Sequence, residues 1–446
     1  MNIEEEVISR IVPKEKENKQ IFEAVEKVKA KILKVADSLR LEVEPILVGS
    51  VAKGTHLTDP DIDIFVMFPP TTKRADLETY GLKIGEEVLE RFEKKYAEHP
   101  YLCGKFEDMD LEIVPCFKID KPSDKMSAVD RTPFHTNFIM KHLKEEQKND
   151  VRLLKQFLKG INIYGAESEI EGFSGYLCEL LVLRYGDFTS VIENAKNWKK
   201  GVLIAFDDRK HPEFEDCLIV VDPVDPGRNV ASALSQDNFA TFIYACKEYS
   251  AKPRIEFFFP NEIPSETIDD LKNEMEKRET TLLGISFEKP ITLPDILHSQ
   301  LRKSVKVITN LCERYGFNLT NYDYFVNSEV MMLFEFEVFS LPQAKLHKGP
   351  PVWHANAPDF LSKWRISQKL IKGPYIKNGN WYVDIKRDFL NAKELIESNL
   401  DALNLGSHIN ESLEKGYKIL VGREILKDSY SLWLTIFYKN KFRWEY

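Results

Sequence analysis

Cysteine is scarce and scattered. The six (Cys103, Cys116, Cys178, Cys217, Cys246 and Cys312) contain no C-x-x-C pair, so the spacing gives no support to a structural zinc site. Most of them sit in apolar runs and read as small core residues. Long hydrophobic runs are also missing: none approaches the about 18 residues that a bilayer span requires. The first residues, MNIEEEVISR, are acidic and carry no signal-peptide core. The expectation is a soluble cytoplasmic protein that makes no use of a membrane. Positive charge is in overall deficit, with a net charge of −9, which argues against indiscriminate coating of DNA. The chain shows no internal repeat and no low-complexity tract.

What is present is a long chain with ample core material. Its 446 residues are 43% apolar and 30% charged, and the length alone predicts about three domains. The charge deficit is uneven. From Leu341 to Asn380 there are seven basic residues (Lys345, Lys348, Lys363, Arg365, Lys369, Lys372 and Lys377) against the single acid Asp359, a net +6. Trp353, Trp364, Tyr375 and several histidines are interleaved with them. Bases stack on aromatics and Lys/Arg hold phosphates, so the window reads as a candidate RNA surface, though its tryptophans could equally be core.

The chemistry concentrates between Glu42 and Phe68, EVEPILVGSVAKGTHLTDPDIDIFVMF. This stretch reads as strand, tight Gly49-Ser50 turn, short helix, loop and strand. Asp61 and Asp63 lie two residues apart on the second strand, so both carboxylates share a face. Like charges side by side repel and are costly to desolvate, and a divalent metal is the simplest remedy. Helix N-termini such as the one that Gly49-Ser50 opens bind phosphate. Metal carboxylates beside a phosphate cradle point to phosphoryl or nucleotidyl transfer. A further strand, MDLEIVPCFKI from Met109 to Ile119, carries Asp110 and Glu112 on one face, with Asp108 just before it. Either Asp110 or Glu112 would supply a third carboxylate for a two-metal cage.

Around this centre the periodicity predicts a helical segment over residues 1–40, with Phe22, Val25, Val28, Ile32, Val35 and Leu39 as one buried face. A helix is expected across 75–97 and a long helical region from Ile139. In that region Leu154, Phe157, Leu158 and Ile161 form an apolar stripe, while Arg152, Lys155 and Lys159 group on another face that base rates assign to solvent. RIEFFFP and LLGISFEKP read as strands, Ile296–Tyr315 as a long helix, and EVMMLFEFEVF and WYVDIK as strands. Taken singly, His135 is more often structural than a ligand, and Arg228, after a Pro-Gly turn, suits either a phosphate contact or a helix start.

Together the stretches GSVAKGT, DIDIFVMF, EIVPCF, AVDRTPFH, VRLLKQFLKGINIYGAE, GFSGYLCELL, VDPVDPGRNVA and LPQAKLHKGPPV resemble the archaeal CCA-adding enzymes, the class I tRNA nucleotidyltransferases. The resemblance implies a multidomain α+β molecule. Its parts would be a polymerase-beta-like nucleotidyltransferase palm or head (residues 1–145), a helical, nucleotide-binding neck (146–255), an α/β body (256–318 and 390–446) and a tRNA-binding tail (319–389). It implies template-independent addition of C, C and A to the 3′ end of tRNA from CTP and ATP, with Mg2+ and as a homodimer, the tail gripping the acceptor stem and T arm. By motif, Asp61, Asp63 and Glu112 would be the catalytic metal carboxylates. The family often has Glu where Asp61 stands and Asp where Glu112 stands, so Asp110 is kept as an alternative third ligand. Ser50 and Lys53 match triphosphate-binding positions, the second being often Arg in the family. His135, Lys155 and Tyr164 match further nucleotide contacts, Thr132 a place beside the sugar, and Arg228 and Asp108 positions that help to select the base.

Overall fold

The computed structural model describes residues 2–58, 60–96 and 98–446. The chain divides into two compact units, residues 1–262 with 441–446, and residues 263–440.

The first unit begins with two helices, α1 (Ile3–Ile11) and α2 (Glu15–Ser38). The single helical segment expected over residues 1–40 is thus broken where Pro13, which cannot donate a backbone hydrogen bond, falls between them. Strands β1 (Glu44–Val48), β2 (Ile62–Phe68), β3 (Arg91–Tyr96), β4 (Pro100–Phe106) and β5 (Met109–Phe117) form one sheet in the order β1-β2-β5-β4-β3, with α3 (Gly49–Lys53) and α4 (Arg74–Val88) inserted between strands. β2 and β5 run parallel and every other pairing in the sheet is antiparallel.

Side-chain alternation divides this sheet into two faces. Ile62, Ile64, Val66 and Phe68, with Leu111 and Ile113, pack against Val25, Val28 and Ile32 of α2 and Leu77, Ile84 and Val88 of α4. The intervening residues of β2 and β5, Asp63 and Glu112 among them, project from the opposite face. Phe22 leaves the expected apolar stripe: it is 47% exposed, and Ile21 and Ala24 are buried in the helix instead. The helix expected over 75–97 ends at Val88, and RFEKKY becomes the edge strand β3 because β4 offers it a backbone partner over six residues. Pairing across a hairpin has overridden the local helical pattern.

The rest of the first unit is mainly helical: α5 (Thr132–His142), α6 (Gln147–Gly160), α7 (Gly175–Tyr185), α8 (Phe188–Ala195) and α9 (Gln236–Ala251), with the short parallel pair β6 (Val202–Ile204) and β7 (Leu218–Val220). Its core centres on Phe157 of α6. Phe157 stacks on Phe257 at 5.7 Å and meets Tyr249, Phe258 and Phe188 edge-on at 5.5–5.8 Å. RIEFFFP is therefore not a strand. Residues Ile255–Phe257 form a 3-10 turn whose Phe257 and the following Phe258 are fully buried. The last six residues also belong here, Trp444 stacking on Phe257 at 5.2 Å.

The second unit holds α10 (Ile268–Arg278), β8 (Thr281–Glu288), α11 (Pro294–Tyr315), β9 (Leu319–Val326) and β10 (Glu329–Phe336). It continues with β11 (Ala344–Pro351), α12 (Ala357–Arg365), β12 (Leu370–Lys377), β13 (Asn380–Lys386), α13 (Ala392–Asn399), α14 (Ser407–Lys415), β14 (Tyr417–Val421) and α15 (Ser431–Lys439). A four-stranded antiparallel sheet, β14-β8-β10-β9, packs α11, α13 and α14 on one face and α10 and α15 on the other. A separate three-stranded sheet, β11-β13-β12, carries α12. All seven basic residues of the Leu341–Asn380 window are exposed on it. The two tryptophans differ. Trp353 is 80% exposed, whereas Trp364 is buried beside His347 and Phe360. Among the described residues no helix is long and apolar enough to cross a membrane.

Because Phe157 is the shared neighbour of five other rings, Phe242 among them, Phe157→Ala is expected to destabilise the first unit by about 3–5 kcal/mol. Urea unfolding followed by tryptophan fluorescence measures it, and a loss below about 1 kcal/mol would show that this cluster is not the core's centre.

Candidate active site

The sheet register brings the acids together. Asp63 and Glu112 are direct partners on the parallel strands β2 and β5, and Val48, the last residue of β1, pairs with Asp63 on its other side. Asp61 lies just before β2 on the same face and is exposed. The chain then turns at Gly49 with φ +70°, and a Cβ there would lie 1.8 Å from Asp63 Oδ2. Both the left-handed backbone and this approach require glycine. The turn sets Ser50 and the start of α3 beside the carboxylates.

Electrostatically the group is under strain. Burial, with repulsion from Glu112 and Asp61, pushes the Asp63 carboxyl up from 3.8 to about 7, although Lys53 and Lys155 act the other way. Burial also raises Glu112, against the pull of Lys95, whose Nζ stands 3.7 Å from Glu112 and 3.7 Å from Glu93. A set of oxygen donors that repel one another in a desolvated place fits a hard divalent cation in its chemistry. As the side chains stand, no three His, Cys, Asp or Glu groups among the described residues converge tightly enough to hold an ion. Asp110 is exposed and paired with Lys105 at 2.8 Å.

A cleft of about 640 Å³ opens next to this face, lined by Gly49, Lys53, Arg131, Thr132, His135, Tyr176 and Arg228 among others. Lys53 ends α3 and is only 8% exposed. Its Nζ donates to Glu179 Oε2 at 2.5 Å. Lys155, on α6 and 2% exposed, donates to the carbonyl and hydroxyl of Thr55 at 3.1 and 3.2 Å and lies 3.6 Å from Glu179 Oε1. The solvated face expected for Arg152 and Lys155 is therefore an inner one. Arg152 is 8% exposed and donates to the carbonyls of Gly54 and His56 at 2.7 and 2.8 Å, tying α6 to the loop after α3. Only Lys159 points outward, over the Tyr164 ring at 5.5 Å. Tyr164 lies beside Lys155, since both its hydroxyl and the lysine Nζ face Gly175.

On another wall Asp222, fully buried, gathers four donors. His135 Nε2 donates at 2.9 Å and Arg228 Nη1 at 3.2 Å to its Oδ2, and Tyr176 Oη at 3.2 Å and the Val224 N–H at 2.9 Å to its Oδ1. Burial works to raise this carboxyl, but the donors outweigh it and hold it at about 2. Burial lowers His135, which stacks on Tyr176 at 4.3 Å as a neutral ring donating to an anion. Thr132, the first residue of α5, lines the cleft as well.

Lys53, Thr132, His135 and Arg228 thus line the cleft, Asp61, Asp63 and Glu112 form the carboxylate face beside it, Ser50 follows Gly49 at its edge, and Lys155 and Tyr164 lie together near Gly175, with Lys155 sharing Glu179 with Lys53. Asp108 is the exception. It sits in the β4–β5 hairpin turn at φ +65° and lines a different cavity, with Pro13, Glu17, Gln20 and Pro60. The tight turn that joins these strands carries its side chain away from the cleft. Glu179 and Asp222 were not singled out from sequence. The available signals were a lone acid in the apolar run YLCELLVL and an acid closing the buried strand LIVVD.

Three family models match successive stretches of the chain: a nucleotidyltransferase domain over residues 29–135, the second domain of tRNA nucleotidyltransferase over 149–259, and the C-terminal domain of the CCA-adding enzyme over 278–422. The CCA-adding enzyme of Methanosarcina barkeri is 38% identical over 93% of this chain and 92% of its own length. That of Haloarcula marismortui is 35% identical over 98% and 97%, and that of Methanothermobacter thermautotrophicus 37% identical over 93% and 92%.

The raised Asp63 carboxyl has a stability consequence with a definite sign. Charging it is unfavourable only in the folded state, so its penalty is absent below about pH 4 and complete above about pH 7. In the absence of divalent metal, Asp63→Asn is expected to raise the thermal midpoint at pH 8 by roughly 2–6 °C and to leave it unchanged near pH 4. Calorimetry in chelator at the two pH values checks this, and a variant no more stable at pH 8 would refute it.

Proposed function

The chain belongs to the archaeal CCA-adding enzymes, and we propose that the cleft of its first unit is where nucleotidyl transfer takes place. The enzyme adds C, C and A to the 3′ end of tRNA, without a nucleic-acid template, from CTP and ATP and with release of pyrophosphate. The observation that carries the assignment is the convergence of Gly49, the buried Lys53 and Arg228 on one cleft that adjoins the carboxylate face, with the buried Lys155 sharing the partner Glu179 with Lys53.

In this reading Ser50, Lys53 and Lys155 receive the triphosphate. Thr132 lies beside the sugar, His135 and Tyr164 make further nucleotide contacts, and Arg228 meets the base. The Asp222 carboxylate orients His135 and fixes Arg228, so the donors that meet the base are set before it arrives. A site built on hydrogen bonds discriminates through the groups that a wrong base would leave unpaired. Asp61, Asp63 and Glu112 would hold two divalent cations, Mg2+ in this proposal, one of which would activate the attacking 3′ hydroxyl and the other steady the leaving pyrophosphate. Asp108 is left out of the assignment because its cavity is a separate one.

The division into head, neck, body and tail at residues 145, 255, 318 and 389 is part of the proposal, as are a homodimer and a cytoplasmic location. The tail's exposed lysines and Trp353 support its contact with the acceptor stem and T arm. Recognition by shape and phosphate there suits a substrate set that includes every tRNA.

Two outcomes test the reading. Asp63→Ala should abolish incorporation of both C and A into a tRNA transcript lacking its 3′ CCA, while circular dichroism remains that of the wild type; normal turnover would remove the carboxylates from the mechanism. Neutralising Lys345 and Lys348 together should weaken tRNA binding and reduce the slope of log K against log salt by about 2. An unchanged slope would take this window off the tRNA surface.

A further inference from the structure

Resting on that reading, we propose that Glu179 is the positioning residue of the triphosphate subsite, a buried carboxylate that holds Lys53 and Lys155 in place. It belongs to α7, the apolar helix GYLCELLVLRY, in which it is the one acid. It is fully buried and makes no direct contact with the open cleft. Three groups from two other elements close on it: Lys53 Nζ at 2.5 Å on Oε2, and the Thr55 hydroxyl at 2.6 Å and Lys155 Nζ at 3.6 Å on Oε1.

An uncompensated charge in such a place is strongly unfavourable. Here two ammoniums face one carboxylate, which leaves the group one positive charge in excess beside the cleft where a triphosphate is proposed to lie. Glu179 takes a single hydrogen bond from Lys53, so two of that ammonium's three N–H groups remain for phosphate oxygens. Lys155 is oriented by Thr55 on one side and Glu179 on the other. The carboxylate thereby fixes two side chains that are flexible in themselves, and the ordering of both lysines is complete before nucleotide arrives.

The groups facing the two lysines come from several elements. Besides Glu179 they are Cys178 and Tyr176 on α7, His56 and Thr55 after α3, Tyr164 after α6, and Asp63 on β2. Burial lowers Lys155, the neighbouring Lys53 lowers it further, and Glu179 is the largest influence in the other direction. Burial works to raise Glu179 itself, but Lys53 and Lys155 overcome it and keep the carboxylate charged. Replacing Glu179 by the isosteric amide leaves two buried ammoniums to repel each other. Lys155 then gives up its proton at a lower pH, and phosphate affinity is lost as pH rises.

Steady-state addition of C to a tRNA transcript lacking CCA, and of A to one ending in CC, measured from pH 6 to pH 9, decides the matter. For Glu179→Gln at pH 8, KM for CTP should rise about tenfold and KM for ATP equally, because the triphosphate and not the base is affected, while kcat falls less than about threefold. Lowering the pH to 6 should bring KM back toward the wild-type value, and Glu179→Asp should keep the wild-type pH profile. A KM unchanged at pH 8, a loss of the same size at every pH, or a loss confined to kcat would overturn the proposal. Should Glu179→Gln fail to fold, the double variant Glu179→Gln/Lys155→Met removes one charge of each sign. It should show a raised KM without pH dependence over this range, and a wild-type KM would refute the role. Wild-type protein that binds CTP yet transfers no nucleotide would instead overturn the transfer reading, and the same variants compared by equilibrium CTP binding would then decide the role of Glu179.

Discussion

Charge removed from water and balanced by neighbours is what the first unit is built to hold. Lys53, Lys155 and Glu179 are all nearly or fully inaccessible, and each comes from a different helix. Taking such groups out of water costs several kcal/mol per ion unless geometry and hydrogen bonds offset it. The offset here is complete for the carboxylate and deliberately incomplete for the ammoniums. The remaining positive charge stands next to a cleft that adjoins the face of Asp61, Asp63 and Glu112, where acids repel one another. The two imbalances are of opposite sign and lie on different elements, α3 and α6 for one and β2 and β5 for the other. They match a substrate that brings phosphates and a cation together.

The same device recurs at Asp222. One buried carboxylate there takes hydrogen bonds from His135, Arg228, Tyr176 and a backbone amide, which saturates it and fixes the direction of three side chains that line the cleft. Neither carboxylate lines the cleft, and both bond side chains that do. Preorganisation of this kind matters most where the reaction offers little covalent chemistry to the protein, as in phosphoryl and nucleotidyl transfer, where positioning and charge stabilisation carry the rate.

The backbone contributes one further constraint. Gly49 must both adopt a left-handed conformation and approach Asp63 more closely than any side chain permits. Strand β1, the turn, and the Asp63–Glu112 register on parallel strands are therefore mutually dependent. The parallel pairing of β2 with β5 sets the two carboxylates side by side, and a shift of one residue would send one of them into the apolar face against α2 and α4.

Sequence by itself determined the carboxylate strand, the glycine turn, the long amphipathic helices and the basic window, because period, turn chemistry and local charge are properties of neighbouring residues. It also carried the family, through motifs whose order is specific even where each is short. Elements whose state depends on a distant partner were not legible. RFEKKY looked helical and is an edge strand because β4 pairs with it; RIEFFFP looked like a strand and is a buried turn because the Phe157 cluster receives it. Asp108, near the acids in sequence, is carried elsewhere by a two-residue hairpin turn. Lys155 and Arg152 looked solvated, yet α7 and the loop at Thr55 cover them, and no local pattern records that. Glu179 and Asp222 gain their importance only from what the fold brings within about 3.6 Å of them. The value of a buried charge is decided by its partners, and here those partners lie from 2 to 126 residues away along the chain.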